Sequence, residues 1–158
     1  LGHRPNFFYL QHAMGLASST GLGLALCLPE QTVIVFDGDG SLLMNLGSLS
    51  TMARYRPRKL IHVVFDNESL LSVGGFPTAT GTGADLEGIA LASGIPRVST
   101  ARSVESFKAA VSDAMQGREL TTIVAKVEAK GPAAYVTDLA LLENRFQFRR
   151  HIQSLKAR

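Results

Sequence analysis

Several residue types and patterns that mark whole classes of protein are scarce or missing in this sequence. The 158 residues include a single cysteine, Cys27, and no tryptophan. One cysteine excludes an internal disulfide framework and indicates a reducing compartment. No apolar run reaches the roughly 18 residues of a membrane-spanning helix, and no secretory signal pattern opens the chain. We therefore expect a cytoplasmic protein that has no membrane segment.

Charged residues are also scarce in this sequence. Charged residues make up 18% of the chain, against about 25% in an average soluble domain, so we expect another subunit to cover part of the surface. The net charge of +3 is local, because segment 141–158 holds five basic residues and one acidic residue. Nucleic-acid-binding proteins present a broad basic face with aromatic residues. A short basic tail therefore predicts no nucleic-acid partner.

Apolar runs of the buried-strand type alternate with helical patterns along the chain. Strands are predicted at 32–36, 60–65, 97–100 and 120–127. Helices are predicted at 14–28, 41–55, 82–93, 103–115 and 138–152, with Ser41, Thr82 and Ser103 as their capping residues where one is evident. The first helix is apolar almost all round, so it is expected to be buried. The alternation predicts an α/β fold of three layers, α/β/α, with a mainly parallel sheet. At this length, residues 1–158 are expected to form a single domain.

Polar residues follow two of the predicted strands at the point where each strand ends. One strand leads into Gly38-Asp39-Gly40-Ser41, and the next along the chain leads into Asp66-Asn67-Glu68-Ser69. In open parallel sheets, ligands bind outside the carboxyl ends of the strands. Carboxylate and amide oxygens suit Mg²⁺, and glycine lets a phosphate approach the backbone. The amides of Gly40, Ser41 and Leu42 would open the next helix. The two loops therefore predict a clamp for a metal ion and a diphosphate.

The stretch GDGSLLMN, followed by DN after the next strand, resembles the diphosphate-binding motif of thiamine-diphosphate-dependent enzymes. The resemblance covers about residues 6–150 and includes RPNFFYLQHAMGLASS, VVFDNESLLSVGG and ENRFQFRRHI. Within that family the chain resembles the sulfopyruvate and phosphonopyruvate decarboxylases. The resemblance implies the thiamine-diphosphate-binding fold, thiamine diphosphate and Mg²⁺ as cofactors, and decarboxylation of a small anionic 2-oxoacid.

The same resemblance assigns roles to individual residues. It implies that Asp39, the Asn67 side chain and the Ser69 carbonyl bind Mg²⁺. It implies that the cofactor lies against a set of residues in two groups: the diphosphate against Gly38, Gly40, Ser41 and Leu42, and the aminopyrimidine against His12, Met14 and Gly15. There Met14 would be the apolar support that bends the cofactor, and the backbone of His12 and Met14 would bond the pyrimidine edge.

In the family, the glutamate that activates the cofactor lies on a separate pyrimidine-binding domain, which has no counterpart in this sequence. The resemblance therefore implies a hetero-oligomer in which an α subunit supplies that glutamate across the interface. No catalytic acid or base is assigned within this chain.

Three alternatives remain open from the sequence. A carboligating enzyme of the acetolactate synthase kind would use the same motif. A phosphohydrolase of the haloacid-dehalogenase type would use Asp37 as nucleophile and Asp39 as acid and base. A non-catalytic module could bind thiamine diphosphate or a nucleotide. The identity of the 2-oxoacid is also open.

Overall fold

A computed structural model describes residues 2–131 and 140–156 of the chain. The chain divides into two compact units. One comprises Met14–Lys130, and the other comprises Leu1–Ala13 together with Gly131–Arg158. The larger unit contains the sheet, and the smaller contains the N-terminal segment and the last helix.

The larger unit is built on a four-stranded parallel sheet. Its strands and a small antiparallel pair are, in chain order, β1 (Val33–Gly38), β2 (Leu60–Asp66), β3 (Ser69–Leu70), β4 (Phe76–Pro77), β5 (Arg97–Ala101) and β6 (Thr121–Lys126). The sheet has the order β1-β2-β6-β5, and β3 pairs with β4. The central strands β2 and β6 are apolar and β-branched because they are buried on both faces. All four predicted strands are confirmed.

Helices of the larger unit cover the sheet from both sides. They are α1 (Ala17–Cys27), α2 (Asp39–Leu43), α3 (Gly47–Tyr55), α4 (Leu86–Ala92) and α5 (Val104–Gln116). The smaller unit contains α6 (Leu141–Lys156). One core, beneath α1, α3 and α4, includes Leu22, Met52 and Val64. The second lies beneath α5 and includes Val63 and Ala114. The predicted three-layer architecture is confirmed.

Coverage is incomplete at the β1 edge of the sheet. Ile34 and Phe36 are 41% and 64% exposed, although the apolar run predicts a strand covered on both faces. Helix α1 likewise buries only one face, while Leu16 and Leu26 beside and within it are exposed. The predicted burial of that helix all round is therefore wrong for the described chain.

Two predicted helix starts are also wrong. The helix predicted from Ser41 to Tyr55 is split into α2 and α3, because the Met44 and Asn45 amides bond three residues back and tighten the chain into a turn. Ser41 lies inside α2 and caps nothing. At α4 the N-cap is Asp85, and the Thr82 hydroxyl donates to the Ala79 carbonyl instead. The predicted cap at Ser103 is confirmed by a capping box with Ser106.

In the smaller unit, α6 holds the N-terminal segment through one buried amide. The Asn144 side chain donates to the Phe7 carbonyl at 2.7 Å and accepts from the Tyr9 amide at 3.0 Å. Phe8 lies against Phe148, with ring centroids 5.0 Å apart. The predicted helix start at Asp138 falls outside the described residues. Within the ranges described, no helix has the length and apolar character needed to cross a membrane.

Candidate functional site

The carboxyl ends of β1 and β2 lie side by side. The strands pair in parallel with Gly38 opposite Phe65. Asp39, which follows β1, is therefore next to the end of β2, where Asp66 and Asn67 lie. This is the edge at which parallel sheets bind ligands.

The Asp39 carboxylate is buried and held from one side. Asp39 as a whole is 2% exposed. Oδ2 accepts hydrogen bonds from the Thr78 hydroxyl at 2.5 Å and the Thr80 hydroxyl at 3.0 Å. No donor within residues 2–131 and 140–156 bonds Oδ1. Oδ1 is not one of the buried side-chain atoms that lack a partner, so it reaches solvent and is open to a cation.

A second buried carboxylate, Asp66, is joined to the first through Thr80. The Thr80 hydroxyl lies 2.8 Å from Asp66 Oδ1. Asp66 Oδ2 forms an ion pair with Lys126 Nζ at 2.7 Å, and the same ammonium lies 3.1 Å from Glu68 Oε1. Burial alone would lower the pKa of Lys126, but the hydrogen bonds to Asp66 and Glu68 outweigh it and raise that pKa above its ordinary value. Lys126 is therefore the fixed positive charge of this edge.

Asn67 begins a tight reversal of the chain after β2. Its side-chain oxygen accepts the Ser69 amide at 3.0 Å, and Glu68 between them has φ 59°, in the left-handed region. The Glu68 carbonyl accepts the Thr78 amide, which closes the loop over the strand end. Within the described residues, no three side chains of histidine, cysteine, aspartate or glutamate are grouped to hold a metal. A metal here would depend on amide and carbonyl oxygens as well as carboxylate.

The two glycines of the predicted clamp are in different surroundings. A Cβ on Gly40 would lie 2.2 Å from Leu70 Cδ2 and 3.2 Å from Thr78 Cγ2, so a larger residue there would have to displace the Leu70 side chain. A Cβ on Gly38 would meet no protein atom within 4 Å. Its φ of −109° and ψ of 156° are open to any residue. Nothing within the described chain explains glycine at position 38.

The residues predicted to meet the aminopyrimidine fall in both units. In the larger unit, the Gly15 amide donates to the Ser41 hydroxyl at 3.0 Å, and its carbonyl accepts from the Asn45 side chain at 2.8 Å. Gly15 has φ +83°, which favours glycine, and Met14 is 41% exposed. His12 belongs to the smaller unit and has φ 54°.

The Leu42 side chain, 1% exposed, belongs to the core, so only its backbone is available to a ligand. Sequence reasoning placed Asp66 in the second loop of the clamp without giving it a role, and it missed Thr78, Thr80 and Lys126. The signal for the threonines was Thr78-Ala79-Thr80 in a glycine-rich loop, which is too common to assign a role.

Asp37, the nucleophile of the phosphohydrolase alternative, is enclosed by the fold. Its side chain is 1% exposed, and Oδ2 lies 3.3 Å from His62 Nε2. Oδ1 accepts the Gly38 amide at 3.0 Å. Because both oxygens are engaged and buried, the geometry disfavours attack by Asp37 on a substrate.

A shallow, open depression of about 480 Å³ lies at the ends of β2 and β6. It is lined by Asp66–Glu68, Arg102 and Lys126–Ala129.

The chain has clear relatives. Residues 3–125 match the family described as thiamine pyrophosphate enzyme, C-terminal TPP binding domain. The chain is 46% identical over 123 residues to sulfopyruvate decarboxylase subunit beta of Methanocaldococcus jannaschii, over 78% of this chain and 64% of that protein. It is 41% identical over 115 residues to phosphonopyruvate decarboxylase of Streptomyces hygroscopicus, over 73% and 28% of the two chains.

The fold also superposes on a solved structure. Benzoylformate decarboxylase from Polynucleobacter necessarius matches with a TM-score of 0.66 and 21% identity, over 77% of this chain and 25% of that one. The structural likeness supports the fold alone. The described chain thus corresponds to part of each of these longer proteins.

Proposed function

The chain belongs to the thiamine pyrophosphate enzymes, as their C-terminal TPP-binding domain, and on this premise we propose that it is the diphosphate-binding part of a 2-oxoacid decarboxylase. The relatives named sulfopyruvate and phosphonopyruvate decarboxylase support this activity and an anionic substrate of that class. When bound, thiamine diphosphate supplies the electron sink that decarboxylation requires. The protein's own residues bind and orient it.

The proposed metal site consists of Asp39, the Asn67 side chain and the Ser69 carbonyl, holding Mg²⁺. These are hard oxygen donors, and Mg²⁺ takes one or two carboxylates together with phosphate oxygens and water. The observation that carries the proposal is the Asp39 carboxylate, which is buried and has both its described donors on Oδ2. A cation at Oδ1 balances the charge that the protein leaves there.

The diphosphate is proposed to lie over Gly38, Gly40, Ser41 and Leu42. The surroundings of Gly38 allow this placement, because no protein atom lies within 4 Å of the position that a Cβ would take. That space is open to a diphosphate. Only backbone groups are proposed for Leu42, whose side chain is in the core.

For the aminopyrimidine, Met14 is proposed as the apolar support and the backbone of His12 and Met14 as hydrogen-bonding groups. Gly15 is proposed to shape this turn, because its amide and carbonyl are already bonded to Ser41 and Asn45.

A partner subunit is proposed to complete the active site. One relative is named as a beta subunit. We propose that an α subunit carries the pyrimidine-binding domain and the activating glutamate, and that the two form a hetero-oligomer. The exposed Met14 and Met44, which lie beside the proposed cofactor turn, support an apolar contact there.

Calorimetry tests the binding proposal. We expect the chain to bind thiamine diphosphate only when Mg²⁺ is present. Asp39→Ala should abolish this binding, whereas Asp85→Ala, which removes an exposed aspartate, should not. Equal binding by wild type and Asp39→Ala would contradict the metal site.

A decarboxylation assay tests the activity and the partner. The chain alone should release no CO₂ from sulfopyruvate or phosphonopyruvate, and adding a pyrimidine-domain subunit should produce release. Turnover by the chain alone would contradict the partner proposal. Products joined by a new carbon–carbon bond would indicate carboligation instead.

A further inference from the structure

We propose that Thr78 and Thr80 are positioning residues that turn the Asp39 carboxylate so that Oδ1 faces the metal, and that the Asp66–Lys126 ion pair fixes Thr80 in that role. The inference rests on the proposed Mg²⁺ site. It concerns residues that touch neither metal nor cofactor in that proposal, and which act through Asp39.

The cluster around Asp39 has fewer hydroxyl protons than close oxygen–oxygen contacts. Four close oxygen–oxygen contacts join the cluster: Thr78 with Asp39, Thr80 with Asp39, Thr80 with Asp66, and Thr78 with Thr80. Each hydroxyl carries one proton, and an ionised carboxylate carries none. Two protons cannot serve four contacts. The contacts therefore share two protons, and at any moment Thr80 donates to Asp39 or to Asp66 but not to both.

The cluster contains more carboxylates than cationic side chains. The Asp39 and Asp66 side chains are buried, and one cation within the described residues, Lys126, pairs with Asp66. Lys126 also lies against Glu68, so its charge is shared. The buried carboxylates of Asp39 and Asp66 therefore have less than one protein cation between them. A divalent cation at Asp39 Oδ1 supplies the missing positive charge.

The contacts with Thr78 and Thr80 also fix the direction of the Asp39 carboxylate. Thr78 and Thr80 both engage Oδ2, so the carboxylate is held in one rotational setting with Oδ1 turned away from the loop. Mg²⁺ demands near-ideal octahedral geometry at about 2.0–2.1 Å, whereas Ca²⁺ accepts looser and longer contacts. Fixing one oxygen in direction therefore favours Mg²⁺ over Ca²⁺.

The ion pair of Asp66 and Lys126 connects the threonine loop to the sheet. Asp66 and Lys126 are register partners at the ends of β2 and β6. Asp66 uses Oδ2 for Lys126, and its Oδ1 accepts the Glu68 amide at 3.3 Å and lies 2.8 Å from the Thr80 hydroxyl. The positioning of Asp39 thus depends on an ion pair that joins the neighbouring strand β2 to β6.

The experiment measures metal binding to the full chain by calorimetry, with thiamine diphosphate present and Mg²⁺ or Ca²⁺ as the titrant. Thr78→Val and Thr80→Val keep the shape and remove the hydroxyls. Each should weaken Mg²⁺ binding by about 10-fold or more, as removal of outer-shell partners commonly does. Each should weaken Ca²⁺ binding less, so that the ratio of the two affinities falls. Thr80→Ser should recover the wild-type ratio.

Thr82→Val is the matched control, because the Thr82 hydroxyl is exposed and its single hydrogen bond within the described residues is to the Ala79 carbonyl. It should leave both affinities unchanged. Lys126→Met should lower the Mg²⁺ to Ca²⁺ ratio in the same direction as Thr80→Val. It tests the inference without altering the threonine loop, should a valine variant fail to fold.

The outcomes separate the two proposals. Wild-type chain that binds no metal with thiamine diphosphate overturns the proposed function and this inference with it. Wild-type binding together with an unchanged affinity ratio in folded Thr78→Val, Thr80→Val or Lys126→Met overturns the positioning inference alone.

Discussion

Two glycines two positions apart illustrate how a residue can be required by the fold or by a ligand. Gly40 is favoured by the fold, because the Leu70 side chain occupies the space that a Cβ would take. Gly38 has ordinary extended backbone angles and open space around it. Gly23 and Gly47 have equally open surroundings, so the space at Gly38 permits the proposed diphosphate without requiring it, and binding measurements must decide.

Replacing these glycines by alanine should therefore have opposite consequences. Gly38→Ala should change the free energy of unfolding by less than about 1 kcal/mol, while lowering the affinity for Mg²⁺ and thiamine diphosphate by at least about tenfold. Gly40→Ala should destabilise the chain by about 1–3 kcal/mol, the usual cost of overpacking. Urea unfolding and calorimetry on the same samples separate the two quantities.

The double variant Gly40→Ala with Leu70→Ala is the control for the packing argument. It removes the side chain that the new Cβ would meet, so part of the lost stability should return. An unaltered cofactor affinity in Gly38→Ala would count against a ligand over this residue.

Between neighbouring elements, the ends of β2 and β6 are tied by the ion pair of Asp66 and Lys126. Because the pKa of Lys126 is raised in the folded chain, its stabilising effect is complete below the unfolded value of about 10.4. That effect is lost as the pH rises through the higher folded pKa. Lys126→Met should cost about 1–3 kcal/mol at neutral pH. The difference from wild type should shrink at strongly alkaline pH, measured by urea unfolding between pH 7 and 12.

Lys59→Met is a matched control for this ion pair. The Lys59 side chain has the same exposed fraction as that of Lys126, 25%, but its partner Glu30 is 88% exposed. A pair with so exposed a partner contributes little. A pH dependence as large as that of Lys126→Met would show that the buried carboxylate is not the cause.

The elements differ in how far local sequence determines them. Strands β2 and β6 are predictable because a continuous β-branched run has few alternatives to a buried strand. The break between α2 and α3 is not predictable, because it accompanies contacts of Ser41 and Asn45 with Gly15, a residue distant in sequence. The loop of Thr78 and Thr80 takes its form from carboxylates on two other elements. No local pattern encodes such a partner.

On the scale of the whole molecule, the exposed apolar surface agrees with the low charge content of the sequence. Phe36 and Met44 are each more than half exposed, as is Leu16 at the start of α1. Isolated exposed apolar residues are normal on a protein surface. Here they occur together with a low content of charged residues, a combination typical of a surface that another protein covers. Both features support the proposed partner subunit. The sequence predicted the need for cover, but which faces lack it depends on the edge position of β1 and on the single buried face of α1.

Ligand binding should also be visible in the stability of the entire chain. A ligand that binds only the folded state, at 100 times its dissociation constant, adds about 2.7 kcal/mol, which corresponds to roughly 5–10 °C in Tm at this size. We expect this rise with Mg²⁺ and thiamine diphosphate together, and neither alone should produce it. Asp39→Asn removes the buried charge and keeps the side-chain size, so it should fold with equal or higher Tm in the absence of ligand but gain nothing from it. A ligand-induced rise in Asp39→Asn equal to that of wild type, in a differential scanning measurement, would mean that the cofactor stabilises the chain without a metal at this carboxylate.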